Sequence, residues 1–300
     1  MSEAKELLKK ISTGDKKALA RAITIVENEI EGVDEILTSL NFKKQISVIG
    51  ITGPPGAGKS TLINSLVKQL SDQGKSIGII AIDPTSPFNY GSLLGDRVRM
   101  AEHFTNENVY IRSLATRGSL GGLSAKTIEI TDVMRTFPFD YIIVETVGVG
   151  QSEVEIAGLA DVTIVVFVPE SGDEVQTLKS GIMEIADIFV INKADREGAD
   201  LFSKNLNSLV HSRKGAETPV IKAIATKSEG ISELISAISQ CVHSEKEKRE
   251  FLLTEKAYKL IQNLRMKNVD KQELQKLIHN EFQRGNFNLY LLVKKFNKNY

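Results

Sequence analysis

Apolar positions along the chain follow two rhythms. In residues 1–43, Leu7, Leu8 and Ile11, then Ala18, Leu19, Ala22, Ile23 and Val26, recur at helical spacing, with Ser12-Thr13-Gly14-Asp15 as the break between two helices. From 45 to 243, short apolar runs at 46–51, 77–83, 109–114, 140–145, 162–168, 187–192 and 219–224 alternate with longer stretches of helical character. Alternation of this kind predicts a parallel sheet built from βαβ units. The runs Tyr141 to Val144 and Asp161 to Val168 are almost uninterrupted, as suits strands covered by helices on both faces. Beyond 245 the chain turns helical and charged, with Lys and Glu interleaved among Leu252, Leu253, Ala257, Leu260 and Ile261. The expected fold class is therefore α/β: three layers around a mostly parallel sheet, with helical N- and C-terminal extensions. The expected divisions are 1–43, 44–243 and 244–300, the last serving as a packing or dimerisation arm.

Composition narrows the chemistry. With 41% hydrophobic and 25% charged residues, the 300-residue chain has the make-up of a globular protein. Its 38 basic and 38 acidic residues cancel, so no global field draws it to nucleic acid or membrane. One cysteine, Cys241, excludes an internal disulfide and a cysteine-based metal cluster. The charged start Met1-Ser2-Glu3-Ala4-Lys5-Glu6 does not read as a signal peptide, and no apolar run is long enough to span a bilayer. A cytoplasmic location is the expectation.

The stretch Gly53-Pro54-Pro55-Gly56-Ala57-Gly58-Lys59-Ser60-Thr61 fits G-x-x-x-x-G-K-[ST], the phosphate-binding P-loop. It follows a strand-like run and precedes a helix-like one, which is the context the motif needs. Glycines let the backbone N–H groups wrap a phosphate, and the helix N-terminus adds a favourable field. Lys59 is expected on the β- and γ-phosphates, and Ser60 on Mg²⁺.

A second motif, Asn192-Lys193-Ala194-Asp195, follows the apolar run Ile188 to Ile191 and has the form N-K-x-D. A carboxylate such as Asp195 accepts hydrogens from guanine N1–H and the 2-amino group together, whereas adenine would leave it unpaired. Lys193 can lay its stem along the base, and Asn192 can brace the loop. Ala225-Thr226-Lys227, after the next predicted strand, stands where a second loop would back the base.

On the metal and γ-phosphate side, the run Asp140 to Val144 ends in Glu145, and Thr146-Val147-Gly148 follows. This resembles a Walker B and D-x-x-G region with Glu in place of Asp. Glu145 is a candidate for Mg²⁺ through water, and the Gly148 N–H for sensing the γ-phosphate. Asp83, at the end of the second predicted strand, would point into the crevice at the carboxyl ends of the strands; a turn cap before Pro84 is its structural alternative. Asp96 is a further candidate, with a helix N-cap as competitor. Val149 stands where Ras-like enzymes carry a water-orienting glutamine, and the nearest glutamine is Gln151, so slow intrinsic hydrolysis is expected. Arg97, Arg99, Arg112 and Arg117 are candidates for transition-state charge or for structural ion pairs.

Taken together these segments resemble the MeaB/ArgK family, GTPases associated with methylmalonyl-CoA mutase and similar B12-dependent acyl-CoA mutases. The resemblance rests on the P-loop, on Ala81-Ile82-Asp83-Pro84-Thr85-Ser86, on Leu94-Gly95-Asp96-Arg97-Val98-Arg99-Met100, on Thr116 to Leu123, on Glu145 to Glu153, on Gly172 to Glu184 and on Asn192 to Asp195. It implies a homodimeric GTPase that docks on a mutase, whose nucleotide state gates adenosylcobalamin loading and protects or reactivates the enzyme. It also implies Asp83, Asp96 and Glu145 as a metal and switch shell. Residues Glu170 to Lys179 would form an extra switch loop, with Glu170 and Lys179 facing the partner. Phe88-Asn89-Tyr90-Gly91 departs from the small residues many relatives carry there.

Two other readings stay open. A metallochaperone GTPase would need metal ligands, and His103, His211, His243 and His279 are scattered. A non-catalytic docking module would use GTP only to organise a dimer. Nucleic-acid binding is disfavoured by zero net charge and the lack of a long basic cluster.

Overall fold

The computed structural model describes residues 2–42, 46–83, 100–115, 125–146, 156–171, 181–214, 218–242, 247–266, 269–283 and 287–296. They fall into two compact units, Met1–Leu253 and Thr254–Tyr300.

The first unit opens with α1 (Glu3–Ser12), α2 (Lys16–Glu27) and α3 (Val33–Thr38). The expected break at Ser12–Asp15 has a specific cause. The Asp15 carboxylate accepts from Lys17 N and Ala18 N, satisfying N–H groups that the first turn of α2 leaves without helical partners. The stripe predicted from spacing faces inward: Ile11, Leu19, Ala22, Ile23 and Val26 are buried.

Seven strands follow: β1 (Ser47–Thr52), β2 (Ile77–Asp83), β3 (Val109–Ala115), β4 (Tyr141–Glu145), β5 (Val162–Phe167), β6 (Ile188–Ile191) and β7 (Val220–Lys222). Each lies within two residues of the apolar run that predicts it. They form one sheet in the order β3-β2-β4-β1-β5-β6-β7, and every pairing is parallel. Helices α4 (Lys59–Asp72), α5 (Ala125–Met134), α6 (Gly181–Ile185), α7 (Ala199–Lys214) and α8 (Ile231–Val242) alternate with the strands.

The period-2 alternation of strand side chains divides the core between two faces. Ile164, Val166, Ile188 and Val190 pack with Leu62 and Leu66 of α4 and with Ile231 and Leu234 of α8. Their neighbours Val165, Phe167, Phe189 and Ile191 pack with Phe202, Leu206 and Val210 of α7. The three-layer α/β expectation holds. The chain lays β2 to β4 on one side of β1 and then β5 to β7 on the other, so the two halves diverge at β1. That is where an open α/β sheet forms its crevice, beyond the carboxyl ends of the strands.

The opposite, amino edge of the sheet is closed by one repeated device. Asp140, Asp161 and Asp187 each immediately precede a strand. Their carboxylates accept from Ser76 N (2.9 Å), Val48 N (2.8 Å) and Thr163 N (2.7 Å). Each aspartate also donates its own N–H to the carbonyl of the same residue. An N–H at or beside the start of each of β1, β2 and β5 is thereby satisfied without further sheet.

The second unit contains residues 254–266 of α9 (Glu247–Met266), then α10 (Lys271–Gln283) and α11 (Leu289–Phe296). Phe282 and Phe287 meet edge to face at 5.7 Å, while Tyr258, Leu264, Phe282, Tyr290 and Leu291 are exposed.

Removing one edge aspartate leaves a part-buried N–H unsatisfied. Asp187→Ala is expected to lower the urea midpoint by the equivalent of about 1–3 kcal/mol at unchanged slope. Asp187→Asn, which keeps an acceptor oxygen, should restore most of it. An alanine variant as stable as the parent would refute the role.

Candidate functional site

The site is built at the carboxyl edge, where β1 leaves the sheet. Gly53 has φ of 142°, and a Cβ placed there would lie 2.1 Å from the Val166 carbonyl oxygen, so only glycine lets the loop pass β5. Gly58 has φ of 83°, and its Cβ would lie 2.4 Å from Asn192 Nδ2. Gly58 delivers the chain into α4, whose first residues are Lys59 and Ser60. Both are buried, and Ala57 is completely so, whereas Gly56 and Thr61 are exposed.

Lys59 Nζ donates to the carbonyls of Gly53 (2.8 Å) and Pro54 (3.1 Å), which holds the ammonium inside the curve of the loop. Ser60 Oγ donates to Glu145 Oε1 at 2.7 Å. The parallel register puts Glu145 opposite Ile51 on β1, and the buried carboxylate thus reaches the first turn of α4. The same register sets Ala81 of β2 beside Glu145, with Asp83 ending that strand two residues on. The side chain of Asp83 lies outside the described residues, as do Asp96, Arg97, Arg99, Arg117, Gly148, Val149, Gln151 and Lys179.

The N-K-x-D segment meets the P-loop directly. Asn192, 2% exposed, donates from Nδ2 to the carbonyls of Ala57 (2.9 Å) and Gly58 (3.4 Å). Its Oδ1 accepts from Ala225 N at 3.2 Å. Lys193, in the left-handed region at φ 56°, donates from Nζ to the Gly56 carbonyl at 2.8 Å. Ala225-Thr226-Lys227 forms a short 3-10 turn, and Lys227 Nζ stands 3.9 Å from Asp195 Oδ2. Both of those side chains are about half exposed, so the contact orients more than it stabilises. Thr226 is exposed.

Several participants were not anticipated from sequence. Ser65, one helical turn past Thr61, donates to the Ala225 carbonyl at 2.6 Å and ties α4 to the base-side loop. Thr146 Oγ1 donates to Thr52 Oγ1 at 2.9 Å, joining the ends of β4 and β1 below the loops. Glu170, expected at the partner-facing switch, lies in the turn Pro169–Ser171, and its unanticipated partner is Arg196, the residue after the N-K-x-D motif, at 2.5 Å. The Arg196 hydrogen bond holds the Glu170 carboxyl below its ordinary range. A polar residue one turn into the P-loop helix was the available signal for Ser65; the Arg196 pair had none.

Arg112 is occupied elsewhere: its guanidinium pairs with Glu27 of α2. Of the histidines, His211 and His279 are exposed and His243 lies outside the described residues. His103 is buried, and burial lowers its pKa against an opposing pull from Glu102. Among the described residues no cluster of three or more His, Cys, Asp or Glu side chains could hold a metal. The donors at Ser60 and Glu145 are a hydroxyl and a carboxylate. That hard-oxygen set suits Mg²⁺, which commonly takes only one or two protein ligands beside phosphate and water. No described helix is long and apolar enough to cross a membrane.

Comparison with known proteins converges on one group. The family model described as methylmalonyl Co-A mutase-associated GTPase MeaB matches residues 19–281. A candidate GTPase of Pyrococcus abyssi is 51% identical over 254 residues, 82% of this chain and 76% of that one. The methylmalonic aciduria type A homolog of Mus musculus, a mitochondrial protein, is 36% identical over 77% of this chain and 61% of its own. Among solved structures, one described as an LAO/AO transport system kinase superposes with a TM-score of 0.70 at 23% identity, covering 99% of this chain and 98% of that one. At that identity the likeness concerns the fold.

Asn192→Ala would strip partners from the Ala57 carbonyl and the Ala225 N–H. A cost of about 1–3 kcal/mol at the site corresponds to roughly 5- to 100-fold weaker binding of a fluorescent guanine nucleotide. Titration should show that loss together with a lower thermal midpoint, because the same buried groups lose their partners in the free protein; unchanged affinity would rule out the bridge as a determinant of binding.

Proposed function

The chain belongs to the MeaB family of methylmalonyl-CoA mutase-associated GTPases, and on that premise we propose that it binds and hydrolyses GTP with Mg²⁺ and docks on a cobalamin-dependent acyl-CoA mutase. Through that contact its nucleotide state gates adenosylcobalamin loading and protects or reactivates the mutase. The observation that carries the nucleotide half is the Asn192 bridge, which fastens the guanine-reading segment to the phosphate loop.

In this reading the P-loop backbone from Gly53 to Ser60 cradles the phosphates. Lys59 turns its ammonium from the Gly53 and Pro54 carbonyls toward the β- and γ-phosphate oxygens. Asp195 reads the N1–H and 2-amino group of guanine, Lys193 flanks the base, and Ala225 to Lys227 back it. Ser60, Glu145 and, from the second strand and the following segment, Asp83 and Asp96 hold Mg²⁺. The metal supplies charge neutralisation as the γ-phosphoryl group departs. Gly148 senses that group. Glu170 and Lys179 bound the segment that relays state to the mutase, with Glu170 anchored through Arg196 to the base-reading loop. Hydrolysis is slow without the partner, since Val149 cannot orient water.

The partner half rests on the family and on the name of the mouse relative, which belongs to methylmalonic aciduria type A. Residues 244–300 are assigned as the dimerisation arm, in support of which the second unit leaves Tyr258, Leu264, Tyr290 and Leu291 exposed. A cytoplasmic location accords with this role.

The direct test is turnover of GTP by the purified protein with and without a B12-dependent acyl-CoA mutase, ATP serving as control. Stimulation confined to GTP is expected; GTP turnover indifferent to mutase would remove the client assignment. Asp195→Asn should weaken GTP binding about 10- to 100-fold and turn preference toward xanthosine nucleotides, because the amide presents a donor where the carboxylate accepted. Guanine selectivity unchanged in that variant would sink the role of Asp195.

A further inference from the structure

The N-terminal helices enclose a groove of about 850 Å³ far in sequence from the nucleotide motifs. Its floor is apolar: Ala4 and Leu7 of α1, Ile25 of α2, Ile36 of α3, and Ile30 between the last two. Ile30 is 46% exposed, an aliphatic side chain left at the lip. The rim carries Glu3, Glu31 and Glu35 against a single cation, Arg21. Arg21 is paired with Glu3 at 2.5 Å, so their charges cancel. Glu31 and Glu35 form no ion pair among the described residues, and the groove keeps a net charge of two negatives over an apolar floor.

The volume is that of a small-molecule pocket, but such pockets orient their ligands with converging polar groups. Here the one hydroxyl in the wall, Thr24 Oγ1, is spent on the Ala20 carbonyl. The remaining polar lining is the charged rim. An amphipathic helix matches both parts: aliphatic side chains at i, i+3 or i+4, and i+7 fill the floor, and flanking Lys or Arg answer Glu31 and Glu35. We propose that this groove is the docking site for a basic amphipathic helix of a partner protein.

Two ion pairs tie the groove to the nucleotide domain. Glu27 of α2 pairs with Arg112 of β3, and Glu29, just past α2, pairs with Lys126 of α5 at 2.9 Å. The chain leaves β3 for residues 116–124 and returns from them into α5. The elements on both sides of that segment are thus fastened to α2 and to the residue pair that follows it. Identifying the partner as the mutase rests on the function proposed above; the chemistry of the groove does not.

The test uses the full chain and a labelled, amidated Leu/Lys peptide of about 18 residues, long enough for several helical turns, with a Leu/Glu peptide of the same pattern as control. Anisotropy titration should show saturable binding of the basic peptide alone. The double variant Glu31→Lys with Glu35→Lys, and separately Ile30→Ser, should weaken it at least about tenfold. Basal GTP turnover should be unchanged, since these residues lie outside the nucleotide site. Absent binding to the parent chain, or equal binding to parent and variants, overturns the proposal. If the charge reversal instead splits a dimer into protomers on sedimentation, the occupant is a second copy of this chain and the partner-helix assignment falls. The mutase arm separates the two readings. A mutase that stimulates the parent but not the double variant places its helix in the groove. A mutase that stimulates neither, while the peptide still binds, removes the client reading and leaves the groove.

Discussion

One buried amide holds the candidate site together. The P-loop segment springs from β1 and the N-K-x-D segment from β6, and β5 lies between them. Strands two apart are separated by roughly 10 Å, beyond any backbone hydrogen bond. A side chain must therefore fix their spacing, and Asn192 does so with donors to Ala57 and Gly58 and an acceptor for Ala225 N. Its own backbone N–H is anchored on the Phe167 carbonyl of β5. Burial makes this bridge costly to leave half-made, which is why it locates loops that glycine would otherwise leave free. Ser65 repeats the logic from the helix side, carrying α4 to the same Ala225.

The two edges of the sheet solve opposite problems. At the amino edge nothing needs to enter, and Asp140, Asp161 and Asp187 close the strand starts with reciprocal bonds to the neighbouring strands. At the carboxyl edge two loops must pass close to one another, so the chain uses Gly53 and Gly58 where any Cβ would strike Val166 or Asn192. The rigidity of one edge supports the openness of the other: Asp161 anchors the start of the same β1 whose far end becomes the P-loop. Arg135 reinforces Asp161 with a 2.8 Å pair, so one carboxylate serves both the strand and the end of α5.

Much of this was legible in the chain because parallel strands buried on both faces write themselves as unbroken apolar runs. The runs at 77–83 and 109–114 predict β2 and β3 almost to the residue. Where the runs overshoot, a tertiary contact intervenes. Asp187 spends its side chain on Thr163 and stays outside β6, and Ile224 leaves β7 to bridge Glu229. The motif residues were legible because their order and spacing form the G-x-x-x-x-G-K-[ST] and N-K-x-D patterns. Ser65, the Thr52–Thr146 bond and the Glu170–Arg196 pair were not, since each depends on which loops the topology brings side by side. The aspartates had a visible pattern, an acidic residue heading three apolar runs, whose meaning emerges only when the neighbouring strand is known.

The N-terminal helices share their compact unit with the sheet, and the nature of their attachment matters. Leu19, Ala22, Ile23 and Val26 of α2 are fully buried, so burial supplies most of the adhesion. The charged contacts add direction. Glu27 and Arg112 are both largely shielded from water, a setting in which desolvation offsets much of the Coulombic gain while breaking one partner is expensive. Lys126 shows the same balance: burial works against its charge, but hydrogen bonds to Glu129 and Glu29 prevail and raise its pKa. Such pairs contribute little net stability and a great deal of register. They fix α2 and the residues that follow it against β3 and α5 in one setting.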